Sequence, residues 1–132
     1  MSQENVEIVR RVIHAWNRDQ QERVIRYLDP NVVFDATRRV VNPKSYKGME
    51  GMRAMLADRD EVWEDFRTEP DEFVDAGDRI VVVSTQHAVP KGGQQQMKVQ
   101  VVEVWAIRDG LLAERRSYST KDEALEAAGL SE

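Results

Sequence analysis

Glu103 is the residue of this chain best placed to do chemistry. It lies in MKVQVVEVWAIRDGLLAERRSYST, residues 97–120, which reads as two strands joined at Asp109-Gly110. The first strand is apolar on both faces apart from Glu103. A carboxylate in such a strand is costly unless it is paired or used. Two accounts follow. In an apolar pocket Glu103 would gain proton affinity and serve as a general acid or base. Alternatively, it is one half of a structural ion pair, which is the plainer account. A two-residue loop pairs Glu103 with Arg116, Trp105 with Glu114 and Val101 with Tyr118. A bulge at the turn would exchange Arg116 for Arg115 and Tyr118 for Ser117, and the pattern leaves both registers open.

Other candidates are weaker. His87 has the strand parity expected to face inward with Glu103. Folding about Gly92-Gly93 sets it opposite residue 97 or 99, roughly 13–20 Å from Glu103 at about 3.3 Å per residue. That places it near the hairpin tip, at a pocket rim, and argues against a His–Glu dyad. His14 lies off the apolar stripe of its helix and is expected in solvent. Asp35 follows Val32-Val33-Phe34, and alternation turns it away from Phe34 toward Arg38 or Arg39. Trp16, Trp63, Trp105, Tyr27, Tyr46 and Tyr118 supply more aromatic mass than a core needs. Several of them, Tyr46 and Tyr118 above all, are expected to line a cavity for a flat or apolar ligand. Two histidines 73 positions apart and no cysteine give no metal-ligand spacing. No phosphate loop or Ser–His–acid set is present, so neither metal nor cofactor is expected.

The elements that must position these groups are legible in outline. Val6, Val9, Val12, Ile13 and Trp16 predict an amphipathic helix over 3–18. Asp19 and Glu22 suggest a capping box for a short second helix ended by Asp29-Pro30. A short strand at Val32-Val33-Phe34 precedes a polar loop over 36–47, whose role stays open. A third helix from Gly48 carries Met49, Met52, Met55, Leu56, Trp63 and Phe66, with a polar break at Asp58-Arg59-Asp60. Strands follow at Phe73-Val74, 80–89, 96–108 and 111–119. Thr120 and Glu123 cap a last helix, with Gly129 at its C′ position. Helices segregated from an antiparallel sheet define an α+β fold in one domain.

The middle strand offers Val99, Val101, Glu103, Trp105 and Ile107 on one face. This set is assigned to the helix-covered side. The other face must also leave water. A homodimer through Ile80, Val82, Val102, Val104 and Ala106 is the economical cover, with the C-terminal helix as the competing one. The net charge of −5 argues against nucleic acid or an anionic membrane as partner. MSQENVEIVRR lacks the apolar core of a signal peptide, so a cytoplasmic location is expected.

YKGMEGMRAML, EVWAIRDGLLAERRSY and DEALEAAGL, in this element order, resemble SnoaL-like proteins of the nuclear transport factor 2-like superfamily. The resemblance implies a cone-shaped α+β barrel, with three helices closing a curved sheet around a pocket and dimers through the outside of the sheet. The superfamily holds ketosteroid isomerases, polyketide cyclases, limonene epoxide hydrolases, scytalone dehydratase and many non-enzymes, so fold alone does not choose an activity. The isomerases' helical Tyr falls on Val12, their catalytic Asp on Ala36 (one past Asp35), and their protonated Asp on Glu103. One role in three is retained, which disfavours steroid isomerisation. Epoxide hydrolysis lacks a second inward acid beside Glu103 and Arg116 unless Glu114 turns in. The expected function is binding of a small apolar or aromatic molecule, with cofactor-free acid–base chemistry by Glu103 and Arg116 if it is an enzyme. The expected lining is Trp16, Tyr46, Trp63, His87, Val101, Trp105 and Tyr118. The alternative is a non-catalytic binding or dimerisation module.

Overall fold

The computed structural model describes residues 2–38, 43–93 and 95–130. Its elements run α1 (Ser2–Asn17), α2 (Gln21–Arg26), β1 (Leu28–Asp35), β2 (Ser45–Lys47), α3 (Gly48–Val62), β3 (Trp63–Asp75), β4 (Arg79–Pro90), β5 (Met97–Arg108), β6 (Leu111–Tyr118) and α4 (Lys121–Ala127). The strands form one curved, mostly antiparallel sheet in the order β2-β1-β6-β5-β4-β3, with β1 parallel to β6. The architecture is the expected α+β one. Part of the predicted 36–47 loop, residues 39–42, lies outside the described residues.

Local chemistry explains most boundaries. Val9, Val12 and Ile13 of α1 are buried against the sheet, as their spacing predicts. The capping box expected at Asp19 does not form. Gln20 is the N-cap of α2 without a side-chain bond, and Asp19 has a positive φ of 59°. Its carboxylate instead accepts from Arg59 Nη1 at 2.8 Å. Asp109 and Gly110 both have positive φ, 53° and 77°, as a tight hairpin turn with right-handed twist requires. Thr120 and Glu123 do form the capping box of α4.

Two expectations fail in instructive ways. The third helix does not reach Phe66. It ends at Val62, and Trp63 to Asp75 forms a long edge strand. Pro70 sits in that strand beside a register shift between Pro70 and Glu72, and its missing N–H is tolerated at an edge. Of the two covers expected for the back face, the C-terminal helix α4 lies on it, but the residues of that face differ in part from those expected. Val81, Val83, Val102 and Val104 form a small core with Ala124 beneath that helix. Ile80 and Val82, assigned to this back face, belong instead to the main core, opposite Trp105 and Glu103.

The register of β5 and β6 decides the site. Ala106 pairs with Glu114, but Ile107 pairs with Leu112, so Ala113 is an extra residue in β6. The bulge turns Arg115 and Ser117 to the inner face, opposite Trp105 and Glu103. Arg116 and Tyr118 therefore face outward.

Candidate functional site

Glu103 is 1% exposed, at the centre of the inner sheet face. Its Oε1 accepts from Arg115 Nε at 3.0 Å and from Trp105 Nε1 at 3.2 Å, and Arg115 Nη2 lies 3.0 Å from the same oxygen. The Arg115 guanidinium carbon sits 4.2 Å from the Phe34 ring centroid and 4.7 Å from that of Trp105. Arginine suits such a position, because its planar head stacks on rings while its edge donates. The arrangement presses one carboxylate against one guanidinium under aromatic cover.

Above this pair, between the sheet and the helices, lies a cavity of about 50 Å³. Its buried floor is Phe34 and Ala36 of β1 and its flank, Tyr46 of β2, Met55 of α3, Gln86 of β4 and Arg115 of β6. Its half-buried rim is Trp16, Arg59, Trp63 and Phe66. Trp16 meets Phe66 edge-on with centroids 6.0 Å apart, and Phe34 stacks on Tyr46 at 6.2 Å. A smaller void of about 20 Å³ continues under α1 past Trp16, Met55 and Arg115. At 50 Å³ the cavity has room for a few waters, since one needs about 10–15 Å³. A larger cleft of about 570 Å³ runs along α1, but its walls include Glu7, Arg10, Arg11 and Arg23 on the exposed side of the helix. Such a cleft buries little of any ligand, so the inner cavity is the better candidate.

Polar clips from the last turn of α3 close this wall. The Tyr46 hydroxyl donates to Asp58 Oδ2 at 2.9 Å, and Lys44 Nζ binds the same oxygen at 2.8 Å. These bonds, that of Lys44 first, hold the Asp58 carboxyl below its ordinary pKa. Arg59 reaches Asp19 and also donates from Nη2 to the Phe66 carbonyl at 3.0 Å. Gly51 lets β2 lie close on α3, because a Cβ there would sit 3.1 Å from the Tyr46 carbonyl carbon. The Asp58-Arg59-Asp60 stretch, read from sequence as a break, is where α3 is tied to its neighbours.

The sequence-derived site residues divide. Trp16, Tyr46 and Trp63 meet at the cavity. Trp105 borders the smaller void. Val101 shares the inner face with Glu103, but neither borders the larger cavity. His87 pairs with Lys98, symmetric about Gly92-Gly93, so odd positions of β4 lie with even ones of β5. It therefore sits on the outer face, with Glu69 Oε1 3.2 Å from its Nε2. Arg116 faces outward and binds Asp35 at 2.9 Å and Glu114 at 3.1 Å, so Glu114 does not turn inward. Tyr118 packs on the core under α4. Asp35 accepts from the Thr37 hydroxyl and backbone N–H, which with Arg116 hold its carboxyl below the usual range.

Sequence reasoning missed Gln86, Arg59 and the choice of Arg115. The mirror symmetry of the hairpin about Gly92-Gly93 carried the signal for Gln86. Nothing in residue type marks Ala113 as a bulge. Among the described residues no cluster of three metal-ligating side chains occurs, and no helix is long and apolar enough to cross a membrane.

A family model described as SnoaL-like domain matches residues 9–115. No curated protein matches the chain. Among solved structures the chain is similar to a nuclear transport factor 2-like protein of unknown function from Burkholderia pseudomallei, at 23% identity over 93% of this chain and 95% of that one, with a TM-score of 0.76. It is similar to TerC, co-crystallised with polyporic acid, at 21% identity over 96% and 98%, TM-score 0.76. It is also similar to Rv0760c of Mycobacterium tuberculosis, in complex with estradiol-17β-hemisuccinate, at 18% identity over 90% and 95%, TM-score 0.76. Identities this low establish a common fold and leave activity open.

Proposed function

The chain belongs to the SnoaL-like domain family, and on that premise we propose that its inner cavity binds a small, flat, mainly apolar molecule. The observation that carries this is the lining: Trp16, Phe34, Tyr46, Trp63 and Phe66 surround one cavity whose floor also holds Arg115 and Gln86. Aromatic walls with a few converging polar groups are the usual chemistry of a small-molecule site. Two structures of this fold, TerC with polyporic acid and Rv0760c with estradiol-17β-hemisuccinate, were obtained with ring-containing organic ligands, which supports the reading.

In this proposal Glu103 is a positioning residue. It lies beneath Arg115 and does not border the cavity, so it fixes the guanidinium and does not touch a ligand there. The inward arginine is Arg115, and Trp16, Tyr46 and Trp63 are the walls. A ring-sized ligand needs more than the present 50 Å³. The unbranched Met55 and the rim residue Trp63 are the side chains that give way.

A thermal-shift screen of planar aromatic compounds tests this directly. A binder raises the melting temperature by an amount that grows with its concentration relative to its Kd. Met55→Trp, which fills the cavity, should abolish the shift while the protein stays folded. A shift that survives Met55→Trp would place binding elsewhere and overturn the proposal.

A further inference from the structure

Gln86 is only 6% exposed and lines the cavity, yet its side-chain amide makes no hydrogen bond to another described residue. Buried amides ordinarily find partners. Two buried donors of rim residues, Trp16 Nε1 and Arg59 Nε, also lack a partner among the described residues. One amide and two N–H groups thus belong to three residues around a single aromatic slot. A plain hydrocarbon in that slot would leave all of them unpaired.

Charge adds a second, independent constraint. Both guanidiniums at the cavity, Arg115 and Arg59, have carboxylate partners, but unequal ones. Glu103 is buried against Arg115, whereas the Asp19 side chain that meets Arg59 is 66% exposed. Asp60, 59% exposed, also approaches Arg59 at 3.9 Å, so water and salt screen both pairings of Arg59 and leave its charge less firmly compensated than that of Arg115.

We infer that the ligand class of this cavity is a planar aromatic molecule carrying an oxygen anion, a ring carboxylate or enolate, whose oxygen is held by Gln86, Trp16 and Arg59. This inference rests on the binding proposed above and names what that site selects. An anionic oxygen accepts from all three donors, and such charge-assisted bonds are stronger than neutral ones. A cationic ring brings no acceptor for these N–H donors.

Three probes of similar shape test it by titration calorimetry: 2-naphthoate, the neutral ketone 2-acetylnaphthalene, and naphthalene itself. The expected result is binding of 2-naphthoate about tenfold tighter than the ketone, a gap that narrows as salt is raised. Gln86→Leu should weaken 2-naphthoate about tenfold and leave naphthalene unchanged. Arg59→Met should remove the salt dependence in a separate protein, which keeps the test open if Gln86→Leu folds poorly. Naphthalene binding as tightly as 2-naphthoate, or Gln86→Leu weakening both equally, would overturn the inference and leave the binding proposal standing. Failure of all three probes at millimolar concentration would overturn both.

Discussion

Arg115 places Nε and Nη2 each 3.0 Å from the same carboxylate oxygen of Glu103, in a site where the carboxylate is 1% exposed and the arginine side chain 11%. Trp105 Nε1 adds a third donor to that oxygen. Breaking a buried pair from one side strands the other charge in a low dielectric, whereas replacing both sides with apolar groups can be nearly neutral. Glu103→Leu is therefore expected to cost about 3–5 kcal/mol in urea denaturation. The double variant Glu103→Leu/Arg115→Met should recover most of that loss in stability while losing ligand binding. Additive effects in the double-mutant cycle would mean that the two side chains do not act as a pair.

Asn17 staples α1 to the sheet. Its Nδ2 donates to the Thr68 carbonyl at 2.7 Å, and its Oδ1 accepts from the Thr68 N–H at 2.8 Å. Strand β3 is the sheet's last, so these Thr68 groups have no further strand to pair with. Thr68 is 5% exposed, and water cannot readily replace the amide. Asn17→Ala should destabilise by roughly 1–3 kcal/mol, the cost of buried unpaired backbone groups. Hydrogen exchange at the Thr68 amide should rise with it. An unchanged exchange rate would show that the staple is not what protects this edge.

Particular residues show why the fold was legible in the sequence and the site only in part. Local devices can be read because they act within a few residues: the Asp109-Gly110 turn, the Thr120–Glu123 box and the Val9–Val12–Ile13 stripe each behave as their types dictate. Trp63 and Phe66 continue a helical spacing, yet they lie in a strand, because pairing with β4 outweighs the local pattern. The parallel contact of β1 with β6 joins residues about eighty apart in the chain, such as Asp35 and Arg116, and no local signal announces it. The choice between Arg115 and Arg116 hung on one alanine, since a single extra residue at Ala113 reverses every side chain after it. Gln86 was lost by the same kind of error, a one-residue slip in pairing β4 with β5.

Acid should loosen the molecule through Asp35 and Asp58. Both carboxyls are held below their ordinary value, Asp35 by Thr37 first and Arg116 next, Asp58 by Lys44 first and Tyr46 next. A depressed folded-state pKa means that the unfolded chain takes up protons first. The stabilisation is complete above the unfolded value near pH 4 and is lost as the pH falls through the lower folded values. Denaturation midpoints should therefore be flat above about pH 5 and fall below about pH 4. Asp58→Asn should flatten part of that acid slope and, by weakening the tie to Tyr46, ease entry to the cavity. A slope unchanged in both Asp35→Asn and Asp58→Asn would assign acid sensitivity to other carboxylates.

Helix α4 is short, and its hold on the outer face rests on little. Ala124 is its fully buried residue, set over Val81, Val83, Val102 and Val104. A charge at that position cannot stay beneath the helix, so Ala124→Glu should lift α4 from the sheet and bare a contiguous apolar patch. The inner cavity draws no residue from α4, so its ligand binding should survive. The exposed face should then self-associate, seen as concentration-dependent sedimentation of Ala124→Glu beyond that of the parent protein. Thr120→Ala is a milder probe of the same helix. Loss of its cap should cost about 1 kcal/mol and speed exchange along residues 121–127 without new association. If Ala124→Glu sediments like the parent and melts at the same temperature, the cover of this face does not depend on α4, and a second copy of the chain becomes the cover to look for.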